Sequence, residues 1–143
     1  MLYGPTHPLS IWYDWKNDGP DPKENEHNFG TVGLDLSPKP AYRAVSVMTH
    51  ELDGFHIVRR LKLGGDDDYL LLLADKTGQT KIAAWTTGKA HDLVVKWSAK
   101  SGVVAMVAGD GARSQLSVEK GDLTIHLQPL PAYLSPGKLE IQE

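Results

Sequence analysis

The sequence has no cysteine, few aromatic residues and no long apolar run. None of its 143 residues is Cys, and 8% are Phe, Trp or Tyr. Without cysteine there are no disulfides and no thiolate chemistry, although the compartment is not decided by this. The longest apolar stretch, residues 69–74, has the length of a strand. Because a membrane-spanning helix needs roughly 18 to 20 apolar residues, we expect no membrane partner.

The chain also has little excess charge of either sign. It carries 15 Lys and Arg residues against 18 Asp and Glu residues, which gives a formal net charge of −3. Nucleic-acid-binding domains usually present a basic surface, so we expect no nucleic-acid partner. With 41% hydrophobic and 23% charged residues, the composition is that of a globular protein with a packed core.

The pattern of residues 1–54 predicts a single β/α unit. Residues 10–15 are rich in aromatic and β-branched side chains, which favours a strand. A long polar connection follows, after which Pro40 suits the first position of a helix and Gly54 the left-handed residue that ends one. Apolar residues recur between them at the spacing of one amphipathic helix, namely Ala41, Ala44, Val45, Met48 and Leu52.

From Phe55 onwards the apolar pattern changes to a period of two. Leu123, Ile125 and Leu127, for example, alternate with polar residues, and glycine-containing turns separate the apolar runs. This pattern is typical of an antiparallel β-sandwich. The sequence therefore predicts a mainly β fold with a β/α unit over residues 1–54 and a sandwich of seven or eight strands over residues 55–143. The strands are expected at 55–63, 68–74, 80–86, 91–97, 103–108, 114–119, 122–128 and, as a possible edge, 132–134.

Three motifs in the first part carry a resemblance to a known family. They are WYDW at residues 12–15, EHNFG at residues 26–30 and KPAY at residues 39–42. Together they resemble the last β/α unit of the (β/α)8 barrel in clan-A-type glycoside hydrolases, which include cellulase-like and xylosidase-like retaining enzymes. Residues 84–86 and 130–134 are similar to parts of the small β-sandwich that often follows such barrels.

This resemblance implies that the chain is the C-terminal part of a longer bacterial enzyme that is secreted or periplasmic and acts on carbohydrate. A complete barrel takes roughly 250 residues. Retaining glycosidases need two carboxyl groups about 5 to 5.5 Å apart, and in the resembled enzymes both are glutamates on earlier strands. We therefore expect no catalytic residue here and no activity from this chain alone, whereas its own localisation stays open.

Four residues are candidates for sugar binding by the same resemblance, because the C-terminal ends of barrel strands face the active site. Trp12 is the candidate for a ring that stacks on a sugar, and Asp14 or Trp15 would line the adjacent pocket. His27 lies beside the FG motif and is the fourth candidate. The alternative is that the aromatic side chains belong to a packed core.

Other polar and aromatic residues are given ordinary interpretations. Asp18, Asp21, Glu24 and Glu26 are expected to form a solvated rim rather than an acid–base pair. Asp66, Asp67 and Asp68 lack the spacing of a calcium loop and predict a charged hairpin tip. The six histidines lack ligand spacing, so no metal or cofactor is expected. Trp85 and Trp97 are expected in the core.

Two further functional classes stay open. The chain could be a free-standing β-sandwich module that binds carbohydrate or another partner, or a small hydrolase that uses its acidic loop. The strand at 10–15 and the apolar helix stripe would also lack neighbours in this chain. Because exposed strand edges and apolar stripes favour association, a homodimer through residues 1–54 is expected.

Overall fold

The structure is a computed structural model, and it describes residues 13–137 and 141–142. These residues fall into two compact units, which divide after Ser46. A 3₁₀ turn at Glu26–Asn28 precedes the helix α1 at Pro40–Glu51. The strands are β1 (His56–Leu61), β2 (Asp68–Ala74), β3 (Thr80–Thr86), β4 (His91–Trp97), β5 (Ser101–Ala108), β6 (Arg113–Glu119), β7 (Asp122–Leu127), β8 (Ala132–Gly137) and β9 (Ile141–Gln142).

The ends of the helix agree with the sequence signals. It begins at Pro40, and Gly54 takes the left-handed conformation, with a φ of +78°, three residues after the last helical residue. The N–H of Phe55 donates to the carbonyl oxygen of Leu52 at 3.0 Å and so closes the final turn. Within the described residues, no helix is long and apolar enough to cross a membrane.

The strand expected at residues 10–15 is not found in its described part. Residues 10–12 lie outside the described residues, and Tyr13 to Trp15 belong to no strand. The pairing begins one residue later, with an isolated parallel bridge between Lys16 and Val32. The backbone hydrogen bonds between these two segments do not extend this bridge into the regular ladder that a strand needs.

All nine strands form one sheet, in the order β1-β2-β3-β8-β5-β6-β7-β4-β9. Every pairing is antiparallel, and β9 adds only two pairs to the end of β4. The predicted mainly β fold is confirmed. The bounds of β2, β3 and β4 coincide with the predicted runs, because each run begins just after a turn that contains glycine.

One face of the curled sheet holds the main core. Leu70 of β2, Val104 of β5 and Ile125 of β7 are buried together, although these strands are far apart in the sheet. The sheet therefore curls until its two ends face each other across a shared interior. Trp97 lies in this core with 3% of its surface exposed, as expected, and its indole N–H has no hydrogen-bond partner in the described chain.

The other face of β2, β3 and β8 holds a second apolar cluster. Leu73, Ala83 and Tyr133 are buried there, against the helix residues Met48 and Leu52. Because β2 is covered on both faces, its sequence is a continuous apolar run rather than an alternating one. Trp85 also packs on this outer face and not in the main core. Its ring stacks on that of Tyr69, with centroids 5.0 Å apart.

The aspartate-rich turn before β2 corrects one expectation. Asp66 and Asp67 are exposed, as a charged hairpin tip requires, but Asp68 has only 4% of its surface exposed. Its carboxylate accepts the N–H of Gly65 at 2.8 Å and lies 3.2 Å from the ring of His91. Burial is possible because both contacts replace the water that the charge would lose.

Candidate functional site

The candidate site is built on two backbone segments of the first unit that run side by side. The N–H of Thr31 donates to the carbonyl oxygen of Asp14 at 3.0 Å, and the N–H of Val32 donates to that of Trp15 at 3.0 Å. The N–H of Asn17 then donates to the carbonyl oxygen of Val32 at 3.1 Å. The FG turn thus returns the chain directly beside the WYDW motif.

Gly30 makes this close approach possible. A Cβ atom at this position would lie well inside 3.0 Å of the backbone of Lys16 and Asn17. Backbone atoms cannot move aside as the end of a flexible side chain can, so any larger residue would push the two segments apart. The glycine of the motif is therefore a packing requirement of this turn.

Lys39 and Asn28 fix the long loop between the two segments. The Nζ atom of Lys39 donates to the side-chain oxygen of Asn17 at 2.5 Å and to the carbonyl oxygen of Asn28 at 2.9 Å. The side-chain amide of Asn28 donates in turn to the carbonyl oxygens of Asp21 and Glu24, at 2.8 and 2.7 Å. Polar residues of the EHNFG and KPAY motifs thus hold one loop, a role that the sequence interpretation did not include.

Asp14 is half-buried, and much of its hydrogen-bonding capacity is used locally. Its Oδ1 atom accepts the N–H of Trp15, and its own N–H donates to the carbonyl oxygen of Phe29 at 3.4 Å. The peptide bond between Tyr13 and Asp14 is cis. The carboxylate is held at the start of the paired segments.

The aromatic side chains of the motif are exposed rather than buried in a core. Trp15 has 59% of its surface exposed and meets Tyr42 edge to face, with ring centroids 5.6 Å apart. Tyr13 is 67% exposed and meets Phe29 in the same way at 6.2 Å. Trp12, the candidate for the stacking ring, lies outside the described residues.

Carboxylates surround the exposed ring of Tyr13. The charge of Asp18, followed by those of Asp14 and Glu26, raises the pKa of the Tyr13 hydroxyl above its usual value. The hydroxyl itself donates to Asp18 over a long 3.5 Å contact. Asp18, Asp21, Glu24 and Glu26 are all exposed, which agrees with a solvated rim.

His27 faces a different part of the loop from Asp14. It lies in the 3₁₀ turn, and its ring packs so closely on Gly19 that a Cβ there would overlap it. Its Nδ1 atom accepts the N–H of Asp21 at 3.3 Å. Asp14 and Trp15 are therefore brought together with the FG turn, whereas the described contacts of His27 all lie inside the loop.

Among residues 13–137 and 141–142, no group of three or more His, Cys, Asp or Glu side chains is placed to hold a metal ion.

Comparison with known proteins places the chain beside one class of enzyme. No protein-family model matches the sequence, and no curated protein matches it. A solved structure of a family 39 glycoside hydrolase from the gut symbiont Bacteroides cellulosilyticus WH2 matches 87% of this chain with 32% sequence identity and a TM-score of 0.76. The chain spans 25% of the length of that protein. The resemblance to clan-A-type glycoside hydrolases is therefore confirmed, and the chain corresponds to part of such an enzyme, consistent with a C-terminal domain.

Proposed function

We propose that this chain is the C-terminal part of a barrel-type glycoside hydrolase, in which it supplies one wall of the sugar cleft and a supporting sandwich. Residues 1–54 would be the last β/α unit of the barrel and residues 55–143 the sandwich. The observation that carries the proposal is the contrast between the two units: the second has a complete core, and the first does not.

The first unit exposes the side chains that a domain normally buries. Residues 13–46 are the described part of the first unit, and within them Val32 is the only buried hydrophobic side chain. Apolar side chains of the same unit are 43 to 67% exposed, namely Tyr13, Phe29, Leu34 and Leu36. Burial of apolar surface contributes about 25 cal/mol per Å², so such a surface suits further β/α units packed against it. Three quarters of the related enzyme lie beyond the matched part, which is ample length for them.

The sugar contacts are assigned to the end of the WYDW motif. Trp12 and Trp15 would offer ring faces to a sugar, and Asp14 would accept hydrogen bonds from its hydroxyl groups. His27 would contribute from the loop that Lys39 and Asn28 hold. The exposure of Trp15 supports this assignment, because a ring that is buried in a core cannot stack on a ligand.

The catalytic carboxylates are assigned to the rest of the enzyme. Glu51 and Asp68 are the buried carboxylates of the described residues, and both face basic partners, Lys81 and His91. The carboxylates of the acidic loop are exposed, as on a solvated rim. Hydrolysis by a retaining mechanism would therefore need glutamates supplied by the parent barrel.

Titration of the 143-residue chain with xylo- and cello-oligosaccharides, followed by NMR of the indole N–H signals, tests the proposal. We expect no saturable binding below the millimolar range and no turnover of aryl glycosides, because the opposite wall of the cleft is missing. The second candidate is a free-standing binding module, which is favoured by the self-contained core of the second unit. Submillimolar binding that persists in Trp15→Ala would support that module and contradict the cleft-wall role.

A further inference from the structure

His91, the first residue of β4, has an oxygen acceptor at each nitrogen of its ring. Its Nδ1 atom lies 2.9 Å from the carbonyl oxygen of Lys89, and its Nε2 atom lies 3.2 Å from Oδ2 of Asp68. A neutral imidazole has one N–H and therefore satisfies only one of these acceptors. Both contacts are hydrogen bonds only when the ring is the doubly protonated, positively charged form.

Asp68 is built to remain negatively charged. Its side chain is buried, and its Oδ2 atom occupies the space that a Cβ on Gly64 would need. The hydrogen bond from the N–H of Gly65 is the main cause that holds the pKa of the Asp68 carboxyl below its usual value near 3.8, and the contact with His91 lowers this pKa further. The hydrogen bond to Lys89, followed by the charge of Asp68, raises the pKa of His91 above its usual value near 6.5.

The pair joins two strands that are distant in the sheet. β2 is second and β4 eighth in the strand order, so the contact crosses from one end of the curled sheet to the other. We call this line of closure the seam. The N–H of Thr86, at the end of β3, donates to the carbonyl oxygen of Gln128, just after β7, at 3.1 Å across the same seam.

We propose that the His91–Asp68 pair is a pH-sensitive latch that holds the seam of the sandwich closed while His91 is protonated and Asp68 is ionised. The pKa of His91 is higher in the folded chain than in the unfolded chain. The stability that protonated His91 contributes is therefore complete below about pH 6.5 and is lost as the pH rises through the folded pKa. The pKa of Asp68 is lower in the folded chain than in the unfolded chain, so the stability that ionised Asp68 contributes is complete above about pH 3.8 and is lost as the pH falls through the folded pKa.

Other charged groups face this pair from the neighbouring elements. The guanidinium group of Arg60, on β1, donates to the carbonyl oxygens of Asp66 and Asp68 at 3.0 and 2.7 Å. Asp92 follows His91 on β4, and its charge also favours protonated His91. Asp67 precedes Asp68 and accepts the N–H of Thr87 through its carbonyl oxygen at 2.9 Å. His91 and Asp68 set the two limits of the pH range.

Amide hydrogen exchange of the whole chain, with intrinsic rates divided out, tests the latch together with NMR titration of His91. We expect the His91 ring to titrate above pH 6.5, and the protection of the Thr86 amide to fall about tenfold as it does so. In Asp68→Asn the His91 midpoint should drop and the pH dependence of Thr86 protection should disappear. His56→Gln is the matched control, because the exposed His56 pairs with Ala74, at the other end of β2 from Asp68, and it should leave both readouts unchanged.

A second variant keeps the test decisive if Asp68→Asn does not fold. His91→Gln still donates one hydrogen bond but cannot titrate, so its Thr86 protection should be independent of pH between 5.5 and 9. Constant protection in the wild type while His91 titrates would overturn the latch. So would an unchanged pH dependence in His91→Gln.

Discussion

The Nζ atom of Lys81 lies 2.7 Å from Oε2 of Glu51 and 2.6 Å from the carbonyl oxygen of the same residue. Glu51 is the last residue of α1, where the helix dipole is negative and a carboxylate is unfavourable. The ammonium group of Lys81 on β3 thus neutralises the Glu51 carboxylate and also donates a hydrogen bond to a carbonyl oxygen at the end of α1. Arg113, at the start of β6, adds a longer contact of 3.5 Å.

Replacement of Lys81 by methionine should destabilise the chain substantially. Glu51 has 8% of its surface exposed, so the substitution leaves a buried charge without its main partner. Loss of one partner of a buried pair typically costs 3 to 5 kcal/mol, and we expect about 3 kcal/mol because Arg113 remains. Urea unfolding monitored by tryptophan fluorescence measures this change.

Lys96→Met is the control for that variant. Lys96 pairs with Asp122 at 2.5 Å, but the side chains are 68 and 41% exposed. Exposed pairs contribute little, so this substitution should hardly move the urea midpoint. Equal effects of the two variants would contradict the role assigned to the Lys81–Glu51 pair.

The Lys81–Glu51 pair also predicts part of the loss of stability of the chain at acid pH. The hydrogen bond from Lys81 holds the pKa of the Glu51 carboxyl below its usual value near 4.5. The stabilisation is therefore complete above about pH 4.5 and is lost as the pH falls through the lowered value. We expect the stability difference between the wild type and Glu51→Gln to shrink between pH 5 and pH 3 in urea unfolding. A difference that stays constant over this range would show that Glu51 does not titrate with folding.

The strands could be predicted because their signals are local. Alternation at a period of two and the glycine turns lie within each run, as in β7 with Leu123, Ile125 and Leu127. The strand order could not be predicted, since the pairing of Ala83 with Tyr133 joins residues fifty positions apart without any local signal. Asp68 was misjudged for the same reason: its burial depends on His91, 23 residues later.

The candidate site could be predicted only as far as its motifs reach. The WYDW and EHNFG segments lie side by side in the structure, because the FG turn returns beside Asp14 and Trp15. Nothing local indicated that the Lys39 ammonium group would reach the side chain of Asn17, which lies 22 residues away. Long-range polar contacts of this kind require the folded geometry of the loop.

Gly30→Ala should break the pairing of the candidate site. The added methyl group would overlap the backbone of Lys16 and Asn17, so the hydrogen bond from Asn17 to Val32 should be lost. Amide exchange measured by NMR should show faster exchange at Asn17 and Val32. Gly54→Ala is the control, because nothing lies within 4 Å of its Cβ position and only its φ of +78° is unfavourable. The Gly54→Ala variant should lower the free energy of unfolding by about 1 kcal/mol without altering the amide exchange of Asn17. Unchanged exchange at Asn17 and Val32 in Gly30→Ala would contradict the packing role of Gly30.

The isolated chain should associate with itself through residues 1–54. The exposed side chains of Tyr13 and Leu36 lack the neighbours that a barrel would provide, and burial against a second copy is the available substitute. Sedimentation velocity at tens of micromolar should show a dimer that the double variant Tyr13→Ser/Leu36→Ser weakens. Val94→Ser, which changes a side chain 57% exposed on β4, should leave it intact. A monomeric wild type would exclude this dimer.

The most direct measurement is the sequence of the reading frame upstream of the codon for Met1. If residues 1–54 are the last unit of a barrel, the frame should continue without a stop codon through further β/α repeats, and it should encode two glutamates at the ends of predicted strands. An in-frame stop codon directly upstream, with a promoter and a translation start at Met1, would contradict the cleft-wall role and favour a free-standing sandwich module.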